Sequence, residues 1–401
     1  MAVPFTFAPR MKTARISDDV AELTRHLVSI PSVNPVLADD PAIAGEHRMA
    51  DFLGEWLVSR GFRVERHEAM RGRPNIVGYF GPSKPRRTVM IEAHLDTQGI
   101  HGMTVPPFAG LERDGRIYGR GACDMKGPMA AALVNLTKPR LDMLAAAGVQ
   151  LMFVGAIGEE TGNLGALELV DAGLGADEIL VLEPTDLHVV HAHKGAFWFE
   201  VEVTGLAAHG SNPDKGLSAI RGMNRVIEML YDQTAAVSLR NDLLGRATVN
   251  VGLIRGGTSI NIVPERCVVE VDRRTIPGEH SEEILARVRE GLAGLVADGL
   301  FRRGEVRRIK EGVPFETTAD SRLVRRLGKA CQDGGVAAVT EGAAWYSDAG
   351  PFSRTCREVA VFGPGSIRQA HTADEYIELS ELRAGAAIIG RFLERLGSEA
   401  T

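Results

Sequence analysis

At Met90-Ile91-Glu92-Ala93-His94-Leu95-Asp96, a mostly apolar run predicts a buried β-strand that ends in a histidine and an aspartate. Two further apolar runs end in acidic residues, one at Glu159 and Glu160 and the other at Glu183. Because ligands bind outside the carboxyl ends of the strands in open α/β sheets, we expect these side chains to meet at one edge. So many carboxylates repel one another unless a cation neutralises them, and the pattern therefore predicts a metal hydrolase.

Two more candidate ligands follow from loops. Asp124 lies in the glycine-rich stretch Gly119-Arg120-Gly121-Ala122-Cys123-Asp124-Met125-Lys126-Gly127, and glycine allows the tight backbone that presents one carboxylate to a cavity. His371 lies in a loop after the apolar run 359–363, and loops on a rigid scaffold commonly carry functional residues. Asp124 alone would indicate only an ordinary glycine-rich turn, and each of these signals is weak by itself. Their joint placement at one sheet edge favours a metal site.

The positions within each pair also carry information. His94 and Asp96 stand at i and i+2 on a strand, so both side chains project from one face. Asp96 could therefore orient the imidazole of His94 or bind metal itself. Glu159 and Glu160 are neighbours and cannot point the same way, so one could hold a metal ion while the other faces a substrate as a general base. A helix N-terminus, where glutamates are favoured by the helix dipole, is the other interpretation, and the two are compatible.

The bulk composition excludes several classes of protein. A chain of 401 residues predicts two domains, and the net charge of −6 without a basic stripe argues against nucleic acid and against an anionic membrane surface. No apolar stretch reaches the roughly 18 residues of a membrane span. Four cysteines without paired spacing predict reduced thiols and a cytoplasmic protein. They are Cys123, which we expect to be a buried spectator, and Cys267, Cys331 and Cys356.

The order of predicted elements indicates how the domains are arranged. Alternating strands and helices over 1–195 predict an α/β domain with a mainly parallel sheet flanked by helices, whose first helix is capped by Ser17 or Asp18. Residues 196–311 predict the order βαββαβ of an inserted ferredoxin-like α+β module. Residues 312–401 return to the first pattern and, because they carry His371, must complete the first domain.

Taken in order, these motifs resemble those of the dinuclear-zinc M20 aminoacylase and carboxypeptidase family. Within that family they are most similar to the acetylornithine deacetylase / succinyl-diaminopimelate desuccinylase branch. The resemblance covers nearly the whole chain from about residue 18 onward. The segments that carry it are Glu92–Thr97, Gly119–Gly127, Gly158–Gly162, Leu182–Thr185, Ala192–Gly195, Ala208–Ser211 and Gly363–Ile367.

The resemblance implies a centre of two divalent metal ions. Mixed histidine and carboxylate ligation suits Zn²⁺, and Co²⁺ or Mn²⁺ can substitute. The implied ligands are Asp124 as the bridge, His94 and Glu183 completing one site, and Glu160 and His371 completing the other. It further implies that Asp96 orients His94 and that Glu159 is the general base, taking a proton from the water between the ions.

The inserted module resembles the family's lid and dimerisation domain, which implies a homodimer. His209 would then reach a neighbouring active site and help stabilise the oxyanion. Arg274 matches the family's carboxylate-binding arginine, and a bidentate arginine would select substrates with a free carboxylate. Asn261 matches the family's asparagine before Val/Ile-Pro, and Arg273, which alternates with Arg274, is expected to face solvent.

The expected activity is removal of an acyl group from a small N-acylated amino acid, closest to an acetylornithine deacetylase. The alternatives within the family are a succinyl-diaminopimelate desuccinylase and an aminoacylase or dipeptidase. A catalytically silent metal-binding or assembly protein is the alternative from a different class. The segment Trp345-Tyr346-Ser347-Asp348-Ala349 departs from the family's Thr-Glu-Ala type, which leaves the acyl or side-chain pocket open.

Overall fold

The computed structural model describes residues 3–4 and 18–398. The chain divides into two compact units, each with its own hydrophobic core. Unit 1 comprises Met1–His191, Glu316–Gly342 and Ser347–Thr401, and unit 2 comprises Ala192–Phe315 and Ala343–Tyr346. Within the described residues, none of the helices combines the length and apolar character that crossing a bilayer requires.

Helices cover the large sheet of unit 1 and one face of the sheet of unit 2. In the described part of the chain they are α1 (Val20–Val28), α2 (Glu46–Ser59), α3 (Gly127–Leu133), α4 (Lys138–Ala146), α5 (Leu164–Asp171), α6 (Ala219–Ala235), α7 (Ser281–Ala297), α8 (Arg322–Asp333), α9 (Ala349–Phe352) and α10 (Leu379–Ser398).

The cap of α1 differs from the prediction. The Asp19 carboxylate accepts the N–H groups of Ala21, at 2.9 Å, and of Glu22, at 3.1 Å, and so satisfies donors that the first helical turn leaves open. Asp18, which the sequence offered as the cap, instead pairs with Arg60. The other predicted cap, residue 17, lies outside the described residues. The predicted cap at Asp18 is therefore wrong by one residue.

The strands form three sheets in the described residues. In chain order they are β1 (Val3–Pro4), β2 (Arg63–Met70), β3 (Arg73–Phe80), β4 (Arg87–His94), β5 (Leu111–Arg113), β6 (Arg116–Tyr118), β7 (Val149–Ala156), β8 (Glu178–Val181), β9 (Val189–His193), β10 (Gly195–Thr204), β11 (Thr248–Gly256), β12 (Arg266–Thr275), β13 (Arg303–Gly312), β14 (Phe315–Glu316), β15 (Thr340–Ala343), β16 (Val359–Val361) and β17 (Tyr376–Glu378).

The large sheet has the order β1-β2-β3-β7-β4-β8-β16-β9-β14, with β15 paired to β9. Its central strands β7, β4, β8 and β16 run parallel, while β1, β2 and β3 on one side and β9 on the other join antiparallel. The parallel centre is buried and apolar, as strands covered by helices must be. The predicted α/β class is confirmed. Parallel pairing also brings the carboxyl ends of the four central strands to one edge.

A small antiparallel sheet, β17-β6-β5, was not predicted from the sequence. Its strands are three residues each, too short to show a period of two. The pairing of β17 with β6 matters for the site, because it fastens the chain just after His371 to the chain just before Asp124.

Unit 2 is a four-stranded antiparallel sheet in the order β11-β12-β10-β13, with α6 and α7 packed on its apolar face. Phe197 and Phe199 of β10 lie in this core. The chain order βαββαβ confirms the predicted ferredoxin-like module. The predicted boundaries, 196–311 within 1–195 and 312–401, and the role of this module as a lid or dimerisation domain remain predictions.

Candidate metal centre

The carboxyl edge of the parallel strands carries a cluster of histidines and carboxylates within unit 1. His94 ends β4, and Glu159 and Glu160 form a single 3-10 turn shortly after β7. Glu183 follows β8 by two residues. The other members come from loops, Asp124 from the glycine-rich loop before α3 and His371 from the loop between β16 and β17.

Asp124 joins the two histidines. Its Oδ1 lies 3.1 Å from Nε2 of His94, and its Oδ2 lies 3.2 Å from Nε2 of His371. On the first side, Glu183 Oε1 lies 3.8 Å from the same nitrogen of His94. On the second side, Glu160 Oε2 lies 3.0 Å from Nε2 of His371. One carboxylate thus presents a separate oxygen to each half of the cluster. The peptide bond after Asp124 is cis.

The donor atoms fall into two groups, and within each group they lie within 4.8 Å of one another. One group contains His94, Glu159 and Glu183, and the other contains Asp124, Glu160 and His371. Imidazole nitrogen with carboxylate oxygen is a donor set that suits Zn²⁺ and related divalent ions. The side chains present therefore fit two ions. The neighbours Glu159 and Glu160 diverge, one to each group.

Burial and mutual repulsion shift the pKa values of the side chains in this cluster. Burial raises the pKa of Glu183 well above its usual value, and the charge of Asp124 raises it further. Burial alone would lower the pKa of His371, but hydrogen bonds to Asp124 and Glu160 outweigh it and raise that pKa to about 11. The carboxylates thus repel one another and favour positive charge beside them. Divalent cations would supply that charge, and metal binding generally displaces protons from the ligands.

Asp96 does more than the sequence indicated. Its backbone oxygen lies 2.9 Å from Nδ1 of His94, whereas its carboxylate lies 3.6 Å from that nitrogen. The carboxylate mainly accepts hydrogen bonds from Asn34 Nδ2 at 2.8 Å and from the backbone N–H groups of Glu159 at 3.1 Å and Glu160 at 3.2 Å. One buried residue therefore holds both the imidazole and the Glu159–Glu160 turn.

A second buried acid, which sequence reasoning missed, holds the same turn. Glu46 at the start of α2 accepts the backbone N–H of Gly158 at 3.0 Å and pairs with Arg73, whose Nη2 lies 2.8 Å from Oε1. Three consecutive backbone N–H groups, from residue 158 to residue 160, thus donate hydrogen bonds to two carboxylates. A glutamate in a first helical turn is usually solvated and favoured there by the helix dipole, so nothing in the sequence indicates this role.

Asn163 and Asp348 line the far side of Glu159 and were also missed. Asn163 Nδ2 donates to Asp348 Oδ1 at 2.9 Å and lies 3.5 Å from Oε1 of Glu159. Both are fully buried, and burial raises the pKa of Asp348 to about 6. Asp348 belongs to the segment that departs from the family pattern, which was the only signal that the sequence offered.

The predicted residues of unit 2 have different surroundings. His209 is exposed, and its Nδ1 lies 2.7 Å from the hydroxyl of Ser211. Asn261 is also exposed and accepts from the hydroxyl of Ser259 at 2.6 Å. The backbone N–H of Gly210 donates to the carbonyl of Asn261 at 2.8 Å, so these two candidates lie on neighbouring segments.

The two arginines of β12 face opposite sides, as their alternation predicts. Arg274 is partly exposed and contacts Asp272, with Nη2 3.0 Å from Oδ2. Arg273 is buried, donating to Thr234 at 2.7 Å and pairing with Glu279. The expectation that Arg273 faces solvent is therefore wrong. A buried carboxylate compensates its charge, and the sequence does not show that pairing.

A parallel sheet with two histidine–carboxylate groups at its carboxyl edge is the arrangement of a metal-dependent hydrolase. The chain belongs to peptidase family M20/M25/M40, whose family model matches residues 90–395.

An acetylornithine deacetylase from Myxococcus xanthus is 33% identical over 86% of this chain and 90% of its own length. Among solved structures, an M20 family metallo-carboxypeptidase from Sulfolobus solfataricus has a TM-score of 0.78 at 19% identity and covers 95% of this chain and 100% of its own. A tripeptidase from Staphylococcus aureus has a TM-score of 0.76 at 22% identity and covers 96% and 99%. At such identities the solved structures show the fold alone.

Proposed function

We propose that the protein hydrolyses the amide bond of an N-acylated amino acid and removes the acyl group, as an acetylornithine deacetylase does. The observation that carries the proposal is the placement of Asp124, with one oxygen toward His94 and the other toward His371. The curated relatives support the substrate class. They include the Myxococcus xanthus protein and a second acetylornithine deacetylase, from Proteus mirabilis, which is 28% identical over 93% of this chain.

Two divalent ions, proposed as Zn²⁺, would be held by this chain's own side chains. Asp124 would contact both, with His94 and Glu183 completing one position and Glu160 and His371 completing the other. When bound, the ions supply a Lewis acid that lowers the pKa of water and polarises the amide oxygen. Three protein ligands for each ion would leave a position for water or substrate, as in catalytic zinc sites.

That assignment frees Glu159 to act as the general base. Glu159 would take a proton from the attacking water and return it to the departing amine. Asp96 and Glu46 fix the backbone of its turn, and Asn163 contacts its carboxylate. The group is therefore held in place by contacts outside the ligand set.

Substrate recognition is proposed for residues of unit 2. Arg274 would bind the substrate carboxylate, since a guanidinium matches that group with two parallel hydrogen bonds. Asn261 would contribute to the same binding surface. His209 would stabilise the oxyanion in a neighbouring active site of a homodimer, and its exposed ring on the surface of unit 2 is compatible with that role.

A turnover screen tests the activity. The Zn²⁺-loaded protein should show its highest kcat/KM with N-acetylornithine, less with N-succinyl-diaminopimelate, and less with simple N-acetyl amino acids or a dipeptide. Removing the metal with a chelator should abolish turnover, and adding Zn²⁺ or Co²⁺ should restore it. A protein that holds two ions and turns over none of these compounds would instead be the silent metal-binding protein. A preference for the succinyl compound would identify a desuccinylase.

The homodimer is proposed to form through β11, one of the two edge strands of unit 2. This edge exposes Leu253 (49%) and Ile254 (57%), which are apolar. The opposite edge, β13, has the sequence RGEVRRIKEG. Charged side chains of this kind protect a free edge from pairing. An exposed apolar edge strand favours pairing with a second copy of the chain.

Ile254→Lys is therefore expected to convert the dimer into a monomer of 43.2 kDa, as measured by light scattering after gel filtration. Ile309→Lys on β13 is the matched control, because Ile309 is similarly exposed (48%) and should leave the dimer intact. Dissociation by the control substitution alone would move the interface to the other edge. A wild-type protein that is monomeric would remove the proposed role of His209 in a neighbouring site.

All four cysteines are buried and free. Burial raises the pKa of Cys331 and of Cys356 to about 11, so neither thiol is reactive at neutral pH. Unpaired, unreactive thiols support the proposal of a cytoplasmic location.

A further inference from the structure

Glu375 is a fully buried carboxylate that the proposed mechanism does not use. Its Oε1 accepts two consecutive backbone N–H groups, from Cys123 at 2.9 Å and from Asp124 at 3.0 Å. Its Oε2 accepts from Nη1 of Arg120 at 2.6 Å, and its backbone oxygen accepts from the N–H of Gly119 at 3.0 Å. Glu375 therefore makes four hydrogen bonds to the glycine-rich loop, and the last of them is to the backbone of Asp124.

Glu375 also lies four residues after His371. The chain between them is anchored midway, where the carbonyl of Ala373 accepts the N–H of Thr104 at 2.7 Å. Immediately after Glu375, β17 pairs with β6. The segment that carries one histidine is thus joined directly to the backbone of Asp124.

We propose that Glu375, paired with Arg120, is a positioning residue for the dinuclear centre, which sets Asp124 against His371 before any ion binds. This inference rests on the proposed function. A carboxylate that accepts two N–H bonds and a guanidinium forms strong, charge-assisted hydrogen bonds in a buried site. Partners of this kind orient metal ligands, and their loss typically lowers metal affinity about 10- to 100-fold. Because Asp124 faces both groups of donors, the affinity for both ions should fall.

The alternative is that Glu375 and Arg120 form a buried ion pair that serves the fold alone. Arg120 also donates from Nε to the carbonyl of Gly99 at 2.8 Å, so the pair does have structural contacts. The two roles predict different measured effects of substitution. A fold residue affects the stability of the metal-free protein, whereas a positioning residue changes metal affinity in a protein that is already folded.

Three variants separate these roles. Glu375→Leu removes the acceptor for both N–H groups. Glu375→Gln keeps an oxygen for them but turns an amide N–H₂ toward the Arg120 guanidinium, where two donors face each other. Combining Arg120→Gln with Glu375→Gln gives that amide an acceptor again. Glu378→Gln is the matched control, because Glu378 lies on β17 and pairs with Arg116 at the surface, 2.7 Å apart with both side chains more than a third exposed.

The measurement is the affinity and stoichiometry of Zn²⁺, by competition with a chromophoric chelator, together with thermal unfolding of each metal-free protein. We expect Glu375→Leu to lower the affinity for both ions about 10- to 100-fold. Glu375→Gln should lower the affinity less, and the double variant should recover most of the affinity that Glu375→Gln loses. Glu378→Gln should bind as the wild type does. If Glu375→Leu does not fold, Glu375→Gln and its repair carry the test.

Variants that melt earlier but bind two Zn²⁺ ions with wild-type affinity would overturn the inference and leave the proposed function intact. A wild-type protein that does not bind two Zn²⁺ ions would instead contradict the proposed function itself. The variants therefore test the inference about Glu375, and the wild-type protein tests the proposed function.

Discussion

Glu159→Gln should lower kcat about 10²- to 10⁴-fold, the range that a positioned general base contributes, with little change in KM. Glutamine has nearly the same shape, and its backbone N–H can still donate to Asp96, so the turn should keep its place. The side-chain amide cannot accept a proton from water. The variant should therefore retain two bound Zn²⁺ ions and the wild-type unfolding temperature while losing hydrolysis.

The measurement combines steady-state kinetics on the best substrate of the screen with metal analysis of the same sample. Glu168→Gln is a suitable control, because Glu168 is a partly exposed residue of α5 that accepts from Asn75 at 3.0 Å, which the amide oxygen of glutamine can also do. Loss of an ion in Glu159→Gln would show that Glu159 is a ligand, as its place beside His94 and Glu183 allows. Unchanged turnover would remove the mechanism.

The parts of the site that the sequence predicts are those that follow from strand ends. His94 and Glu183 could be placed together because buried apolar runs indicate parallel strands, and parallel strands end at one edge. The loop residues Asp124 and His371 were candidates from their loops, but their partners in the cluster came only from the family resemblance, since a glycine-rich turn alone does not specify where its carboxylate points. The structure brings these four together with the Glu159–Glu160 turn.

The residues that hold the site in place could not be found in the same way. Glu46 and Glu375 are distant in sequence from the backbone groups they accept, and an isolated glutamate is usually solvated. The prediction for Arg273 was wrong for a related reason, because its partner Glu279 is brought close only by the turn after β12. Burial of a charge with its partner is a tertiary property, and neither periodicity nor composition reports it. The strand β17 could not be predicted either, because three residues are too few to show a period of two.

Asp124→Asn should produce the largest loss of metal, because it is expected to affect both ions at once. The aspartate presents one oxygen to each histidine of the cluster, whereas asparagine has one oxygen and an N–H₂ group that is a donor and not a ligand. It also removes the negative charge that the cluster shares between its halves. The affinity loss should exceed the roughly 100-fold upper range for an outer partner, and hydrolysis should be lost with it.

Asp124→Asn and Glu159→Gln should differ in metal content. Both variants should be inactive, but only Asp124→Asn should lose Zn²⁺ in a chelator competition. Asp374→Asn, an exposed position close to His371 in sequence, should keep both metal and activity. If Asp124→Asn still binds two ions at wild-type affinity, the bridging role is wrong. If it loses one ion only, the two halves are independent, and the histidine that keeps its ion identifies which half does not need the shared carboxylate.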